Sequence, residues 1–383
     1  MNYQDLKREA IRRLRHLRAQ ALKSPSRKRR WRLLQVESAI ACNLGCIMCP
    51  WKSHRESMSD SGLMRPEIWA AIRPHLAEVQ SMDFTGGGEP LLQPKLAEWI
   101  AEAKSAGCET GFLTNGLLLK KERARELLDA GLDWVCFSLD GADKDMYEKI
   151  RPGSSFELVR GNLAGLAGLR RQRIPKIMIN FVMMPANFHQ IEEMVRLAGR
   201  LGADQVNFKQ CAVIRGEHGK GLGLFHREES KETKRYRKEL AKARGLARKM
   251  KIDTTAFSFL PAERPVCEQD PRDEMFVRHD GCVAPCINLA IGGATTFLGR
   301  EATMPTVHYG RLPDRDLQAL WESEVGRSYR RVFQDRHKAY QETFYGGLLS
   351  DSRRTPERLL EEALKRMPAA PEGCSVCHYL YDI

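Results

Sequence analysis

The sequence predicts an α/β protein on a parallel sheet, followed by a smaller second domain. Three observations predict it. Six strand-like segments alternate with helical patterns between residues 33 and 209. That rhythm stops after a basic helix near 228–250. Cysteines then gather in the last third of the chain, beyond a hairpin signal.

The strands are expected at 33–38, 82–85, 110–114, 134–139, 176–183 and 205–209, with helices near 66–78, 94–107, 119–130, 155–171 and 188–202. Alternation of this kind implies right-handed crossovers. Periodicity alone leaves open whether the sheet is flat or curled into a barrel. Ahead of it, residues 4–22 read as a helix, with Leu6, Ala10, Leu14, Leu17 and Ala21 on one stripe, and SPSRKRR breaks it. Beyond the basic helix, MFVRHDGCVAPC reads as a hairpin turning at Asp280-Gly281, followed by helices near 314–334 and 355–367. The expected division is a basic extension over 1–32, a sheet domain over 33–254 and a smaller domain over 255–383.

The chain has 383 residues, of which 42% are apolar, enough for a real core, and 29% are charged. Its apolar runs are too short to span a bilayer, and the N-terminus lacks the apolar core of a secretion signal. The expected location is cytoplasmic. Eleven cysteines, an odd number mostly in clusters, do not suit a disulfide framework. In a reducing compartment such clusters are more often metal ligands.

The formal charge of +13 is uneven: residues 1–32 carry +10 and residues 215–251 carry +8, so the rest is mildly acidic. Two solvated basic helices account for this. A docking surface for an acidic partner, peptide or nucleic acid, is the alternative.

Cys42, Cys46 and Cys49 crowd into the loop after the first strand. Structural zinc sites commonly use four ligands. A cubane has four irons, so three thiolates leave one iron open to a small molecule binding through nitrogen and oxygen. The loop sits at the C-terminal end of a strand, where parallel-sheet enzymes place their chemistry.

The pattern CNLGCIMC is followed by FTGGGEP at 84–90, LTNG at 113–116, FSLDG at 137–141, IRPG at 150–153 and NFVMMPAN at 180–187. With these six motifs in order, the chain resembles the radical S-adenosylmethionine (SAM) superfamily over roughly residues 33–215. The resemblance implies a partial (β/α)6 TIM-like barrel with a small C-terminal iron–sulfur auxiliary domain. It implies a [4Fe-4S] cluster on Cys42, Cys46 and Cys49, with SAM on the open iron. Gly87, Gly88 and Glu89 would then meet the methionine amine, and bare glycine backbone suits such an approach. Ser138 and Arg151 would meet the carboxylate or the sugar, although Arg151 reads equally as a surface ion pair. Asn115 and Asn180 are candidates for the nucleoside. The family usually has an aromatic residue where this chain has Met48, whose backbone would face adenine. Asp140-Gly141 reads as turn chemistry, and Cys108, Cys136 and Cys211 as small buried apolar residues. The implied chemistry is one-electron cleavage of SAM to a 5′-deoxyadenosyl radical, with an electron donor such as flavodoxin or ferredoxin.

Five cysteines remain: Cys267, Cys282, Cys286, Cys374 and Cys377. With the hairpin ending at Cys286 and YGRLPDRDLQALWES at 309–323, this region resembles the SPASM and twitch auxiliary-cluster domains. That implies one four-thiolate [4Fe-4S] cluster on Cys267, Cys286, Cys374 and Cys377, with Cys282 spare. Zinc on the same four thiolates is the alternative. An auxiliary cluster without an open iron would accept an electron, favouring oxidation or coupling of a small molecule or a peptide side chain. The stretch between Cys286 and Cys374 is expected to help form the substrate pocket. Other readings are a radical SAM enzyme that modifies RNA, or a zinc-stabilised nucleic-acid-binding protein. The latter has little aromatic interleaving in its basic segments, with Trp31, Tyr236 and Phe225 and, near the start, Tyr3. No His or Asp outside the motifs is distinguished as a catalytic acid or base.

Overall fold

The structure is a computed structural model that describes residues 29–215, 219–350 and 354–383. The helix expected at 4–22 lies outside the described residues.

The six expected strands are present as β1 (Trp31–Val36), β2 (Val79–Asp83), β3 (Glu109–Thr114), β4 (Trp134–Ser138), β5 (Lys176–Met183) and β6 (Gln205–Gln210). Each pairs in parallel with the next. Helices Pro66–Ile72, Leu96–Ser105, Lys121–Asp129, Phe156–Leu169 and Ile191–Leu201 fill the crossovers. The strands are buried on the helix side by alternation: Ile177, Ile179, Phe181 and Met183 of β5 are fully covered. On the other face Asn207 Nδ2 donates to Asn180 Oδ1 at 2.9 Å. The sheet does not close, because β1 and β6 are not paired with each other. The architecture is a partial TIM-like barrel.

Differences from the expected boundaries have local causes. β2 ends at Asp83, whose carboxylate accepts the Thr85 N–H at 3.0 Å and turns the chain. The α-helix expected to reach residue 78 becomes a 3-10 helix at Arg73–Glu78, because Pro74 has no N–H to continue the ladder.

The expected boundary at 254 does not divide the sheet. β7 (Asp253–Ala256) pairs with β6 at one edge. At the other edge β8 (Glu274–Val277) pairs in parallel with β1, and β9 (Cys282–Ala284) pairs antiparallel with β8. The Asp280-Gly281 hairpin is therefore part of the main ten-stranded sheet. A separate two-stranded sheet, β10 (Gly293–Phe297) with β11 (Arg300–Met304), follows, and the short β12 (Gly310–Arg311) pairs with β9. The C-terminal tail is laced beside β7: Ser258 N–H donates to the Asp382 carbonyl at 2.9 Å and Arg264 N–H to the Leu380 carbonyl at 2.8 Å. Among the described residues no helix is long and apolar enough to cross a membrane.

Candidate active site and second cysteine centre

The cysteine loop leaves β1 and is pinned by backbone contacts. Ile40 and Ala41 N–H groups donate to the Gly62 carbonyl at 2.8 and 3.2 Å, and Ile47 N–H donates to the Ile150 carbonyl at 3.1 Å. The Gly86–Glu89 turn lies directly against it, with Glu89 N–H donating to the Ala41 carbonyl at 2.8 Å. That approach requires glycine. A Cβ on Gly88 would sit 2.3 Å from the carbonyl oxygens of Ile40 and Ala41.

A pocket of about 290 Å³ opens at this junction. It gathers Cys42, Cys46 and Cys49 with Gly87, Gly88 and Glu89, and also Asn115, Ser138 and Arg151. Met48 lines it too. Asn180 does not line it, being engaged with Asn207 on the strand face. Cys108, Cys136 and Cys211 are buried as expected, but Cys211 also lines the pocket.

Two guanidinium groups attend the thiols. Arg151 Nη1 lies 3.4 Å from Cys46 Sγ, and Arg55 Nη1 lies 3.4 Å from Cys49 Sγ. Burial pushes the Cys42 and Cys46 thiols up, while Arg55 and Arg151 respectively pull them down. A nearby cation favours the thiolate form where water is excluded. Arg151 is not a surface ion pair. It is buried and paired with Asp140 at 2.6 Å. Asp140 likewise does more than make a turn, since its other oxygen accepts Val182 N–H at 2.7 Å.

Glu89 is buried, and burial pushes its carboxyl up, partly offset by its donors. Those donors are Asn115 N–H at 2.7 Å, Thr114 Oγ1–H at 2.7 Å and Leu91 N–H at 3.2 Å. Glu89 thus ties the GGGEP and LTNG motifs together. Gly87 is held on both sides: its N–H donates to Glu37 Oε1 at 2.8 Å, and its carbonyl accepts from Arg55 at 2.7 Å. Arg55, Glu37 and Asp140 were not distinguishable as site residues from the sequence. Arg55 follows the loop in a helix of five residues, too short for a period to mark its face.

The second set of cysteines converges elsewhere. Cys267, Cys286, Cys374 and Cys377 line one small cavity with Leu289, Met304 and Leu380. Burial pushes all four thiols up, Cys286 to about 12, and neighbouring thiols add to the rise at Cys267, Cys286 and Cys374. Cys282 stands apart in β9, where its charged neighbours are Arg278, Asp280, Arg311 and Glu37. Among the described residues no three His, Cys, Asp or Glu side chains converge as ligands of a single metal ion. Ligands of a multi-iron cluster bind different irons and need not converge on a point.

Tyr379, two residues past Cys377, lines both this cavity and the first pocket. It also lines a groove of about 600 Å³ that includes Lys209 of β6, Cys267, and His337, Tyr340 and Tyr345 from the stretch between Cys286 and Cys374.

A glycine turn and a three-thiol loop at the C-terminal end of a partial parallel barrel define a cofactor-dependent enzyme with two thiol-rich centres. Comparison with known proteins identifies the domain that carries this site. The Radical SAM superfamily model matches residues 36–198. The tungsten-containing aldehyde ferredoxin oxidoreductase cofactor-modifying protein of Pyrococcus furiosus is 27% identical, over 76% of this chain and 81% of its own. The PqqA peptide cyclase of Ruegeria pomeroyi is 27% identical, over 77% of this chain and 75% of its own. Two solved structures share the fold. Streptococcus suis SuiB bound to S-adenosylmethionine has a TM-score of 0.59 at 15% identity, covering 79% of this chain and 68% of that one. Native anSMEcpe with bound AdoMet has a TM-score of 0.56 at 16% identity, covering 81% and 87%. Residues 36–198 are thus a radical SAM domain, and the relatives of the chain are radical SAM enzymes of the SPASM/twitch type. A [4Fe-4S] cluster and SAM are the cofactors of such a domain, and the SPASM relatives carry auxiliary clusters besides. The nucleic-acid-binding alternative is not favoured.

Proposed function

We propose that Cys42, Cys46 and Cys49 hold the radical-generating cluster and that SAM occupies the 290 Å³ pocket beside them. The carrying observation is that this one pocket collects the three cysteines and all the cofactor-binding candidates except Asn180, from motifs spread over some 110 residues of sequence. When bound, the cluster and SAM supply a 5′-deoxyadenosyl radical that removes hydrogen from a substrate C–H bond. Gly87 and Gly88 present bare backbone to the pocket, because a Cβ on either would run into the chain around the cysteine loop, on Gly88 into the Ile40 and Ala41 carbonyls and on Gly87 against Ile40 and Trp51. Glu89 offers negative charge to the methionine amine while its donors hold it in place. Arg151, fixed by Asp140, offers positive charge to the carboxylate and to Cys46. Ser138 and Asn115 add hydrogen-bonding groups at the wall, and Met48 contributes backbone toward adenine.

Cys267, Cys286, Cys374 and Cys377 hold the auxiliary cluster. The substrate reaches the radical from the side of Tyr379 and the larger groove, to which the stretch between Cys286 and Cys374 contributes. Its class is a peptide side chain or a small molecule. The relatives named as a peptide cyclase and as a cofactor-modifying protein support one each. The outcome is oxidation or coupling, with electrons exchanged with a flavodoxin- or ferredoxin-like donor. Oxygen-free purification with metal analysis tests the two-cluster reading. About eight irons per chain support it, and zinc with no iron refutes it.

A further inference from the structure

The Gly86–Glu89 turn is reached from an unexpected direction. Glu37, one residue beyond β1, is fully buried, and its Oε1 accepts the Gly87 N–H at 2.8 Å. It packs so closely that a Cβ on Gly86 would lie 2.2 Å from its Cγ. The other oxygen, Oε2, meets His279 twice, from Nδ1 at 2.9 Å and from the backbone N–H at 3.3 Å. Since a carboxylate accepts, Nδ1–H is the donor. His279 is itself buried at 4% exposure and sits on the β8–β9 turn, some 190 residues beyond the glycine turn it supports. Its Nε2 lies 3.3 Å from Asp60 Oδ2. Asp60 Oδ1 in turn accepts Gly62 N–H at 2.9 Å, and the Gly62 carbonyl pins Ile40 and Ala41 at the mouth of the cysteine loop. One imidazole thus touches the supports of both the glycine turn and the cysteine loop.

We propose that His279 is a positioning residue for SAM, its charged imidazole bridging Glu37 and Asp60 so that the Gly87 amide and the cysteine loop are held in register. This rests on the reading that the Gly86–Glu89 turn binds SAM. The charged form donates to both carboxylates, whereas the neutral ring donates to one. The groups facing it are Glu37 just after β1, Asp60 on the loop before the helix Pro66–Ile72, Arg278 and Asp280 on its own turn, and His54 on the helix Lys52–Glu56. Burial opposes its charge, but the hydrogen bond and charge of Glu37, with Asp280 and Asp60, raise its pKa on balance. A raised pKa means that the bridge is complete at low pH and is lost as pH rises through it.

The test compares SAM affinity of the iron-loaded wild type and His279→Gln from about pH 6 to about pH 9, the range an imidazole of raised pKa spans. SAM's own amine titrates in this range, identically for both proteins, so the ratio of affinities isolates the imidazole. The wild type should bind about tenfold tighter at the acid end, as expected for a lost hydrogen bond to a charged group. The ratio should approach one at the alkaline end. A ratio that stays constant, or is one throughout, overturns this inference alone. A wild type that binds no SAM at any pH overturns the turn's assignment as well. Should His279→Gln fail to fold, Asp60→Asn at the surface serves instead: it should move the fall in affinity to lower pH, and an unmoved profile overturns the inference.

Discussion

Arg151 and Asp140 form a buried ion pair, 2.6 Å between Nη2 and Oδ2, at the wall of the pocket proposed for SAM. The guanidinium is anchored on one side by that carboxylate and reaches Cys46 Sγ with Nη1 on the other. A cation so held is preorganised: it stabilises a thiolate or a ligand carboxylate without having to move.

Removing one partner strands the other. Arg151→Met should destabilise the protein by about 3–5 kcal/mol, the range for breaking a buried pair, because Asp140 keeps a buried charge. Arg151→Met with Asp140→Asn should recover much of that loss. Denaturant unfolding under oxygen-free conditions, analysed as a double-mutant cycle, measures the coupling. Additive losses would show that the two side chains do not act as a pair.

The glycines separate by what surrounds them. Gly88→Ala should abolish SAM binding and reduce iron content, because its Cβ would meet two carbonyl oxygens at 2.3 Å in the cysteine loop. Gly45→Ala, within that loop but with nothing within 4 Å, should retain both. Iron assay and SAM binding on the two variants decide this.

Asp83 gives a pH signature. Burial raises its carboxyl from 3.8 to about 7, against hydrogen bonds from Thr85. The folded state then holds a proton that the unfolded state has released, so stability falls as pH rises from about 4 to about 7 and stays lower beyond. Asp83→Asn removes the titration. It should flatten this part of the stability–pH profile, read by urea unfolding at several pH values. An unchanged profile would assign the slope to other groups.

The second centre makes a selective prediction. Cys374→Ala with Cys377→Ala should lower the iron by about four atoms per chain, one cubane, with SAM cleavage retained. Cys282→Ala should leave the iron unchanged, since Cys282 stands outside the four-thiol cavity. Loss of iron in Cys282→Ala would mean that the ligand set is wrong.

Much of this was legible in the chain because it is local. Strand alternation, the glycine run and the cysteine spacings each span a few residues, and β5 appears within the very limits its pattern suggests. What escaped depends on contacts distant in sequence. Asp140 looked like a turn residue, yet its partners are Arg151 and Val182. His279 beside a hairpin turn carries no mark of its 242-residue reach to Glu37. The hairpin itself was recognisable, but its parallel docking on β1 was not, because nothing local selects the edge on which β8 lands.

The central claim is that the three-cysteine loop holds the cluster on which SAM is cleaved. The direct measurement is 5′-deoxyadenosine formation, with iron content, for the reduced wild type and a Cys42→Ala, Cys46→Ala, Cys49→Ala triple variant. The account predicts about eight irons and product for the wild type, against about four irons and no product for the variant. A triple variant that keeps all its iron, or still forms 5′-deoxyadenosine, would contradict it.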